Sequence, residues 1–227
     1  MKKLIIFYGP PGAGKSTILQ KLEEIDLAFK KLAMADIVNE IINNQFEGYE
    51  IVQEAISQGE LIPDRYIDVK VKEVFSGDHE ILLFDGYPRN LKQTQFILDI
   101  SVSLQIFIFH FKVKKANSIK RIKNRRLSAF CSLCHNVFDV PFKDCNHVIS
   151  LSSYNGKRCP VCNGELYIRK NDTTEIVEKR YTEYLEKKDG ILTSLGKSGK
   201  LFNINADQNK DQVYSQVYSE FEKIIGG

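Results

Sequence analysis

The stretch GPPGAGKS, residues 9–16, lies between an apolar run and a segment with helical periodicity. It fits the pattern G-x-x-x-x-G-K-[ST] and stands in the strand, loop and helix context that this pattern requires. Gly12 and Gly14 allow backbone conformations closed to other residues, which brings N–H groups against phosphate oxygens at a helix N-terminus. Lys15 supplies a positive charge for the terminal phosphates, and the two hydroxyls after it can meet phosphate or the coordination shell of magnesium. The stretch therefore predicts a nucleoside triphosphate site.

The apolar run before this loop is one of several short runs rich in Ile, Leu, Val and Phe that alternate with helical patterns. This alternation predicts a parallel sheet covered by helices on both faces. Strands are expected at Leu4–Tyr8, Ile81–Phe84, Gln105–Phe111 and Leu201–Ile204, with a short fifth strand at Lys31–Met34. Helices are expected at Ser16–Glu24, Asp36–Asn44, Tyr49–Gln58, Arg65–Phe75, Leu91–Ile100, Lys114–Arg126, Thr174–Lys188 and Gln212–Ile225.

Composition sets the broad class. The 227 residues, 43% of them hydrophobic, are enough for one main domain. With 32 basic and 29 acidic residues, the net charge of +3 does not call for a nucleic-acid or membrane-surface partner. No apolar run approaches the roughly 18 residues that span a bilayer, and the N-terminal run is too short for a signal peptide. A soluble cytoplasmic protein is the expectation.

A second motif narrows the chemistry. In the segment ILLFDGYPR, residues 81–89, Asp85 ends a strand and is placed to organise magnesium through water. Gly86 occupies the position after it, where an ATP-hydrolysing machine would carry a water-activating glutamate. Arg89 follows a proline in a tight turn and is suited to a phosphate. The segment favours transfer to a bound acceptor over hydrolysis.

The segment from Ser128 to about Tyr167 breaks the rhythm of strands and helices, and it contains two CxxC pairs. The pairs are 24 residues apart, which is compatible with a tetrahedral four-cysteine zinc site without an open position. Such a zinc would be structural and would fold a segment too polar to hold its own core. Iron on the same ligands is the main alternative, with disulfides or unpaired thiols as others. The four candidate ligands are Cys131, Cys134, Cys159 and Cys162.

Taken together, the motifs resemble those of the adenylate kinase family, in the form with a long zinc-binding LID. The resemblance runs the full length, through GPPGAGKST, DGYPRN with Gln93, RIKNRR, the two CxxC pairs, and CNGELYIRKND followed by Arg180. It implies a P-loop NTPase fold with a five-stranded parallel sheet and helices on both faces. It also implies a core of residues 1–33, 64–125 and 171–227, a monophosphate-binding helical insert at 34–63 and the zinc-binding LID at 126–170.

The resemblance further implies magnesium-dependent transfer of a phosphoryl group from ATP to AMP by a monomer. The residues implied for ATP are Gly12, Ala13, Gly14, Lys15, Ser16, Thr17, Arg121, Arg125, Val137 and Phe138. The residues implied for AMP are Met34, Asn39, Glu60, Leu61, Ile62, Gly86, Tyr87, Pro88, Arg89, Gln93, Arg169 and Arg180. The catalytic set is Lys15, Arg89, Arg125, Arg169 and Arg180. Because the transition state spreads charge over the moving phosphoryl group, positioned cations are the expected catalytic device.

The acceptor side departs from the family pattern. Where family members read T-G-D-x-L-R after the second strand, this chain reads MADIVN, residues 34–39. Asn39 therefore replaces an arginine, and losing one charge-assisted phosphate contact costs about 1.5 to 3 kcal/mol unless another cation substitutes. Met34 replaces a polar residue near the acceptor base, whereas Gln93 still favours adenine. Acceptor affinity is expected to be weakened.

Three alternatives stay open. A kinase of CMP, UMP or another nucleoside monophosphate would fit the changes at Met34 and Asn39, although a long zinc LID argues against pyrimidine specificity. A nucleic-acid-binding ATPase could use a zinc ribbon as a grip, but the insert is not strongly basic and lacks interleaved cations and aromatics. A regulatory binder that keeps ATP without turnover conflicts with the number of arginines.

Overall fold

A computed structural model of the protein describes residues 2–25, 29–58, 60–126, 128–131, 137–139, 163, 166–167 and 173–226. The strands are β1 (Lys3–Tyr8), β2 (Lys30–Ala33), β3 (Ile81–Asp85), β4 (Gln105–Lys112), β5 (Ser128–Cys131), β6 (Val137–Asp139), β7 (Leu166–Tyr167) and β8 (Gly199–Asn205). The helices are α1 (Lys15–Glu23), α2 (Met34–Asn43), α3 (Tyr49–Ser57), α4 (Asp64–Ser76), α5 (Leu91–Ile100), α6 (Lys115–Arg126), α7 (Thr174–Ser198) and α8 (Lys210–Ile225).

Five strands form one parallel sheet in the order β2-β3-β1-β4-β8. This confirms the predicted α/β class and the five-stranded parallel sheet. The short strand predicted around Lys31–Met34 is present as β2, but it ends at Ala33 because Met34 already begins α2.

Both faces of the sheet are buried, as the continuous apolar runs predict. Along β1 the side chains of Leu4, Ile6 and Tyr8 belong to one core cluster, and those of Ile5 and Phe7 belong to another. The first cluster is completed by side chains from α2, α3, α4, α5 and α7, and the second by side chains from α1 and α8. A strand covered on both sides carries little polar sequence, since alternate side chains point to opposite faces.

The order of the strands opens a crevice at one edge of the sheet. From β1 the chain crosses past β3 to β2, whereas from β3 it crosses past β1 to β4. The helices that follow β1 and β3, α1 and α5, contribute to opposite core clusters. Two neighbouring strands whose connections leave in opposite directions make the switch point at which open α/β sheets bind ligands. The loops after β1 and β3 therefore border the expected ligand crevice.

Helix α7 is longer than the sequence predicts, since it continues past Lys188 to Ser198. Gly190 lies inside it, and a glycine there costs about 1 kcal/mol of helix stability relative to alanine. Ile191 and Leu195 offset this cost because both side chains are fully buried in the core. A Cβ atom at position 190 would lie 3.2 Å from Leu91 Cδ2, so the glycine also lets α5 and α7 pack closely.

The remaining strands form a small antiparallel sheet in the order β6-β5-β7, which begins directly after α6. It lies within the predicted zinc-binding LID, and Cys131 ends β5. Cys134, Cys159 and Cys162 lie outside the described residues, so the predicted zinc site stays a prediction. No described helix has both the length and the apolar character needed to cross a membrane.

Candidate active site

The phosphate loop connects β1 to α1 and takes the conformation that its glycines permit. Gly12 and Gly14 have φ angles of 71° and 87°, and Gly14 is the N-cap of α1. A Cβ atom at position 12 would lie 2.7 Å from the backbone oxygen of Ser118, so a larger residue would collide with α6. The Ser118 hydroxyl also donates to the Pro11 carbonyl at 2.6 Å. Helix α6 thus packs against one side of the loop, and the N-terminus of α1 ends the loop.

The side chain of Lys15 folds back onto the start of the phosphate loop. Its Nζ donates to the carbonyl oxygens of Gly9 at 2.8 Å and Pro10 at 2.9 Å. These contacts hold the ammonium group against the start of the loop, and its binding of terminal phosphates stays a prediction. The position of the ammonium is therefore set by the loop backbone.

A hydroxyl and a carboxylate meet where β1 and β3 end. The Ser16 hydroxyl donates to Asp85 Oδ2 at 2.7 Å, and Asp85 is only 6% exposed. The strand register places Phe7 of β1 opposite Asp85 of β3, which brings the two ends together. Such a pair of oxygen groups beside a phosphate loop fits a magnesium ion that keeps several waters. That Asp85 organises magnesium through water stays a prediction.

Two arginines are close enough to interact electrostatically. Arg89 follows the cis peptide bond between Tyr87 and Pro88, and its Nε donates to the Gly86 carbonyl at 2.7 Å. Arg180 of α7 lies near enough to repel the guanidinium of Arg89, while Asp85 and Glu183 attract it. Bringing two cations together is unfavourable in itself, and an anion between them would relieve the repulsion. The pair therefore marks a site suited to phosphate.

The predicted acceptor residues Met34, Gly86 and Arg89 are neighbours. Gly86 has a φ angle of 78°, and a Cβ atom there would lie 3.2 Å from Arg89 Nη2 and 3.6 Å from Met34 Cγ. Met34 is 6% exposed, so it lines the end of β2 with apolar surface. Ile62, Tyr87 and Pro88 are also buried, and Asn39 lies on α2, about one turn beyond Met34. Three of the residues predicted for the acceptor, Met34, Gly86 and Arg89, thus lie together at the ends of β2 and β3.

The segment that ends the predicted acceptor insert contacts α7 next to Arg180. Lys179 Nζ lies 3.3 Å from Glu60 Oε1 and donates to the Gln58 carbonyl at 3.3 Å. Both side chains are about half exposed, so this ion pair adds little stability. It nevertheless brings Glu60 to the part of α7 that carries Arg180, the residue after Lys179.

Gln93 is held by the backbone of Arg89 and by Asp64, of which the sequence pattern singled out only Arg89. Its Oε1 accepts from the backbone N–H of Arg89 at 2.6 Å, and its Nε2 donates to Asp64 Oδ1 at 2.8 Å. Asn90 caps α5 by accepting from the Gln93 N–H at 2.7 Å and donates to the same Asp64 oxygen at 3.2 Å. The proline before Asp64 signals a helix start, but no sequence pattern shows that this helix meets α5.

On the other side of the phosphate loop, Arg121 of α6 is directed to the turn after β8. Its Nη2 donates to the Gln208 carbonyl at 3.2 Å. The same turn presents Asp207, which accepts from Asn117 Nδ2 at 2.8 Å and from the Lys114 N–H at 3.1 Å. These hydrogen bonds, the one from Asn117 first, lower the pKa of Asp207. The β8–α8 turn was missed by sequence reasoning because its neighbours are about 90 residues earlier in the chain.

The remaining predicted residues are described less fully. Arg125 lies in α6 and Val137 and Phe138 lie in β6, but only their backbone is described. Arg169 lies outside the described residues. Their contributions to an ATP or acceptor site therefore stay predictions.

A buried polar cluster connects the start of the phosphate loop with α7. His110 Nε2 lies 2.7 Å from the Tyr184 hydroxyl, and both rings pack against Tyr8, the last residue of β1. Burial, and then the charge of Lys112, lower the pKa of His110 to about 4. Burial likewise raises the pKa of Tyr184 to about 12. The cluster is therefore neutral at physiological pH.

The family profile and the similar known proteins compared with this chain are all adenylate kinases. The sequence profile described as adenylate kinase matches residues 7–200. The adenylate kinase of Thermosipho melanesiensis is 34% identical over 218 residues, which cover 94% of this chain and 96% of that protein. Those of Thermosipho africanus and Rickettsia prowazekii are 32% and 30% identical over 94% of this chain and 96% of each protein. The matches include the phosphate loop, the loop after β3 and α7.

The low pKa of His110 predicts acid-dependent stability. The imidazole has a pKa near 6.5 in an unfolded chain and near 4 in the folded protein, so unfolding takes up a proton between these values. The contribution of His110 is complete above about pH 6.5 and is lost as the pH falls toward 4. Urea unfolding at pH 7.5 and pH 5.0 is expected to show a loss of stability of about 2 kcal/mol from this residue, which His110→Gln removes. An identical pH dependence in both proteins would contradict this assignment.

Proposed function

Because this chain belongs to the adenylate kinase family, we propose that it reversibly transfers the γ-phosphoryl group of ATP to AMP, giving two ADP. The resemblance drawn from the motifs is confirmed at the level of the family. The observation that carries the proposal is the arrangement around the crevice. The Ser16–Asp85 pair stands beside Lys15, and Arg89 and Arg180 converge on the same edge of the sheet.

The proposed reaction is a direct in-line displacement. A phosphate oxygen of AMP attacks the γ-phosphorus, the bond from that phosphorus to the bridging β,γ-oxygen breaks, and the β-phosphate leaves with the electron pair as ADP. No general base is required because the attacking oxygen is already anionic. The contributions of the protein are alignment, neutralisation of charge and exclusion of water.

The residues of the crevice divide this work. The N–H groups of the phosphate loop and Lys15 hold the donor phosphates, since the N-terminus of α1 favours negative charge. Arg89 and Arg180 hold the acceptor phosphate and the moving group, where charge accumulates in the transition state. Arg125 and Arg169 are proposed to complete this clamp, with Arg121, Val137 and Phe138 beside the donor nucleoside.

Magnesium is the cofactor that the site fits. Ser16 and Asp85 would hold it, Asp85 through water, and it would neutralise charge on the β- and γ-phosphates when bound with ATP. The observation that supports this fit is the 2.7 Å contact between the hydroxyl and a nearly buried carboxylate.

We also propose that residues 126–170 form a LID with a structural zinc on Cys131, Cys134, Cys159 and Cys162. Support comes from the two CxxC pairs in a segment that breaks the alternation of apolar runs and helical patterns. Residues 34–63 are proposed as the monophosphate-binding insert and the remaining chain as the core. Closure of the LID would keep water from the reacting phosphates.

The function is tested by supplying MgATP with AMP, CMP, UMP, GMP or dAMP separately and measuring diphosphate formation. We expect rapid turnover with AMP, because the cations suit a second anionic nucleotide and Gln93 favours adenine. Equal or faster turnover with CMP or UMP would replace the proposal with a pyrimidine nucleotide kinase. ATP consumption without an acceptor would contradict phosphotransfer and indicate hydrolysis.

Asn39 gives a second prediction. Restoring an arginine with Asn39→Arg is expected to lower the KM for AMP by about tenfold, because one charge-assisted hydrogen bond to phosphate is regained. The KM for ATP should stay the same. The matched control is Asn43→Arg, which adds the same charge one turn along α2 at an exposed position. An unchanged KM for AMP in Asn39→Arg, or an equal change in the control, would contradict the role of position 39.

The metal proposal predicts one zinc per chain, released when a proposed ligand is removed. Cys159→Ser should lose bound zinc and lower the melting temperature, because thiolate coordination contributes to folding of the segment. Cys145→Ser is the matched control, since the fifth cysteine is outside both CxxC pairs. Elemental analysis of the purified proteins measures the metal. Iron in place of zinc, or equal metal loss in both variants, would overturn the assignment.

A further inference from the structure

The amide of Gln93 is fixed in one orientation by partners of opposite polarity. The backbone N–H of Arg89 can only donate, and it lies 2.6 Å from one end of the amide. The carboxylate of Asp64 can only accept, and it lies 2.8 Å from the other end. The oxygen of Gln93 must therefore face Arg89 and its NH2 group must face Asp64.

Asn90 holds Asp64 in this role. The Asn90 oxygen accepts the Gln93 N–H at the start of α5, so its NH2 group is directed to Asp64. Both NH2 groups meet the same carboxylate oxygen, Oδ1, while Lys92 Nζ lies 3.6 Å from Oδ2. The side chain of Asp64 is 16% exposed and Gln93 is 2% exposed, so water competes little for these bonds. The network ties the start of α4 to the loop after β3.

We propose that Asp64 is a positioning residue that sets the hydrogen-bonding polarity of Gln93 and thereby the choice of acceptor base. The inference rests on the proposed function, in which Gln93 meets the base of the acceptor nucleotide. Gln93 keeps one N–H and one oxygen lone pair that these partners do not use. In the fixed orientation the N–H is on the Asp64 side and the lone pair is on the Arg89 side.

This arrangement of one donor and one acceptor on Gln93 complements a 6-aminopurine, whereas a 6-oxopurine presents its donor and acceptor in the reverse order. The edge of adenine offers an acceptor at N1 and a donor at the 6-amino group, which complement one donor and one acceptor of an amide. Hypoxanthine offers N1–H and O6, which reverses the pattern. A freely rotating glutamine could serve both bases by turning over. Gln93 cannot turn without placing its NH2 group against the Arg89 N–H and its oxygen against the Asp64 carboxylate.

The test compares AMP with IMP, because their bases differ only at the edge in question. Equilibrium dissociation constants and kcat/KM are measured for both nucleotides with the wild type and with Asp64→Asn. An asparagine can turn either its oxygen or its NH2 group toward Gln93, so one of the two restraints is removed. The preference for AMP over IMP is expected to fall by about tenfold, with IMP binding more tightly than to the wild type. The KM for ATP should change by less than about twofold, because no contact of the proposed donor site is altered.

The matched control is Asp99→Asn, which removes the carboxylate from another Gln–Asp pair on α5. Gln95 Nε2 donates to Asp99 Oδ1 at 2.7 Å at the exposed end of that helix. This variant should keep the wild-type ratio of AMP to IMP. Asp64→Ser is the second variant if Asp64→Asn does not fold, as a hydroxyl can also donate or accept.

A wild type that binds AMP and IMP equally would overturn the inference, as would an Asp64 variant that keeps the wild-type preference. In either case ADP formation from MgATP and AMP would leave the proposed function intact. A parallel loss of affinity for AMP, IMP and ATP would also overturn it, because that pattern reports general loosening of the site. Gain of IMP binding in the Asp64 variants, but not in Asp99→Asn, supports it.

Discussion

A phosphate loop must hold its backbone N–H groups in a conformation that an isolated chain does not maintain. In this protein the restraint comes from both sides of the loop. Strand β1, buried on both faces, fixes its beginning, and α1 fixes its end. Helix α6 closes the space behind it, where Ser118 bonds to Pro11 and excludes any side chain at Gly12. The rest of the site is arranged around this rigid element.

Electrostatic repulsion is the second constraint, because phosphate-binding cations must be assembled before any phosphate arrives. The structure shows two of these cations, Lys15 and Arg89, paired with fixed oxygen atoms. Lys15 donates hydrogen bonds to two loop carbonyls. Arg89 donates to the Gly86 carbonyl, and the charges of Asp85 and Glu183 attract it. Such contacts hold the cations in place, so little reorganisation is needed when charge develops on a transferring group. On the proposed acceptor side, Asn39 adds no cation to this set.

Much of the fold and part of the site could be predicted from the sequence. The buried strands are visible as apolar runs because both faces of the sheet are covered, and the phosphate loop is visible because its chemistry needs glycines at fixed positions. The end of α7 was misplaced, since burial of Ile191 and Leu195 outweighs the local effect of Gly190. Asp64 and Gln208 were missed because each acts on a partner that is distant in sequence.

The sequence by itself determined the class of fold, the phosphate loop, the acidic end of β3 and the family, because each depends on residues that are adjacent or regularly spaced. Only the tertiary structure decided which distant groups interact: Ser16 bonds to Asp85, Gln93 bonds to Asp64, and Arg180 acts electrostatically on Arg89. The physical reason is that hydrogen bonds and charge interactions act over a few ångströms in space. The order of the strands, which brings β1 beside β3 and α4 beside α5, sets those distances.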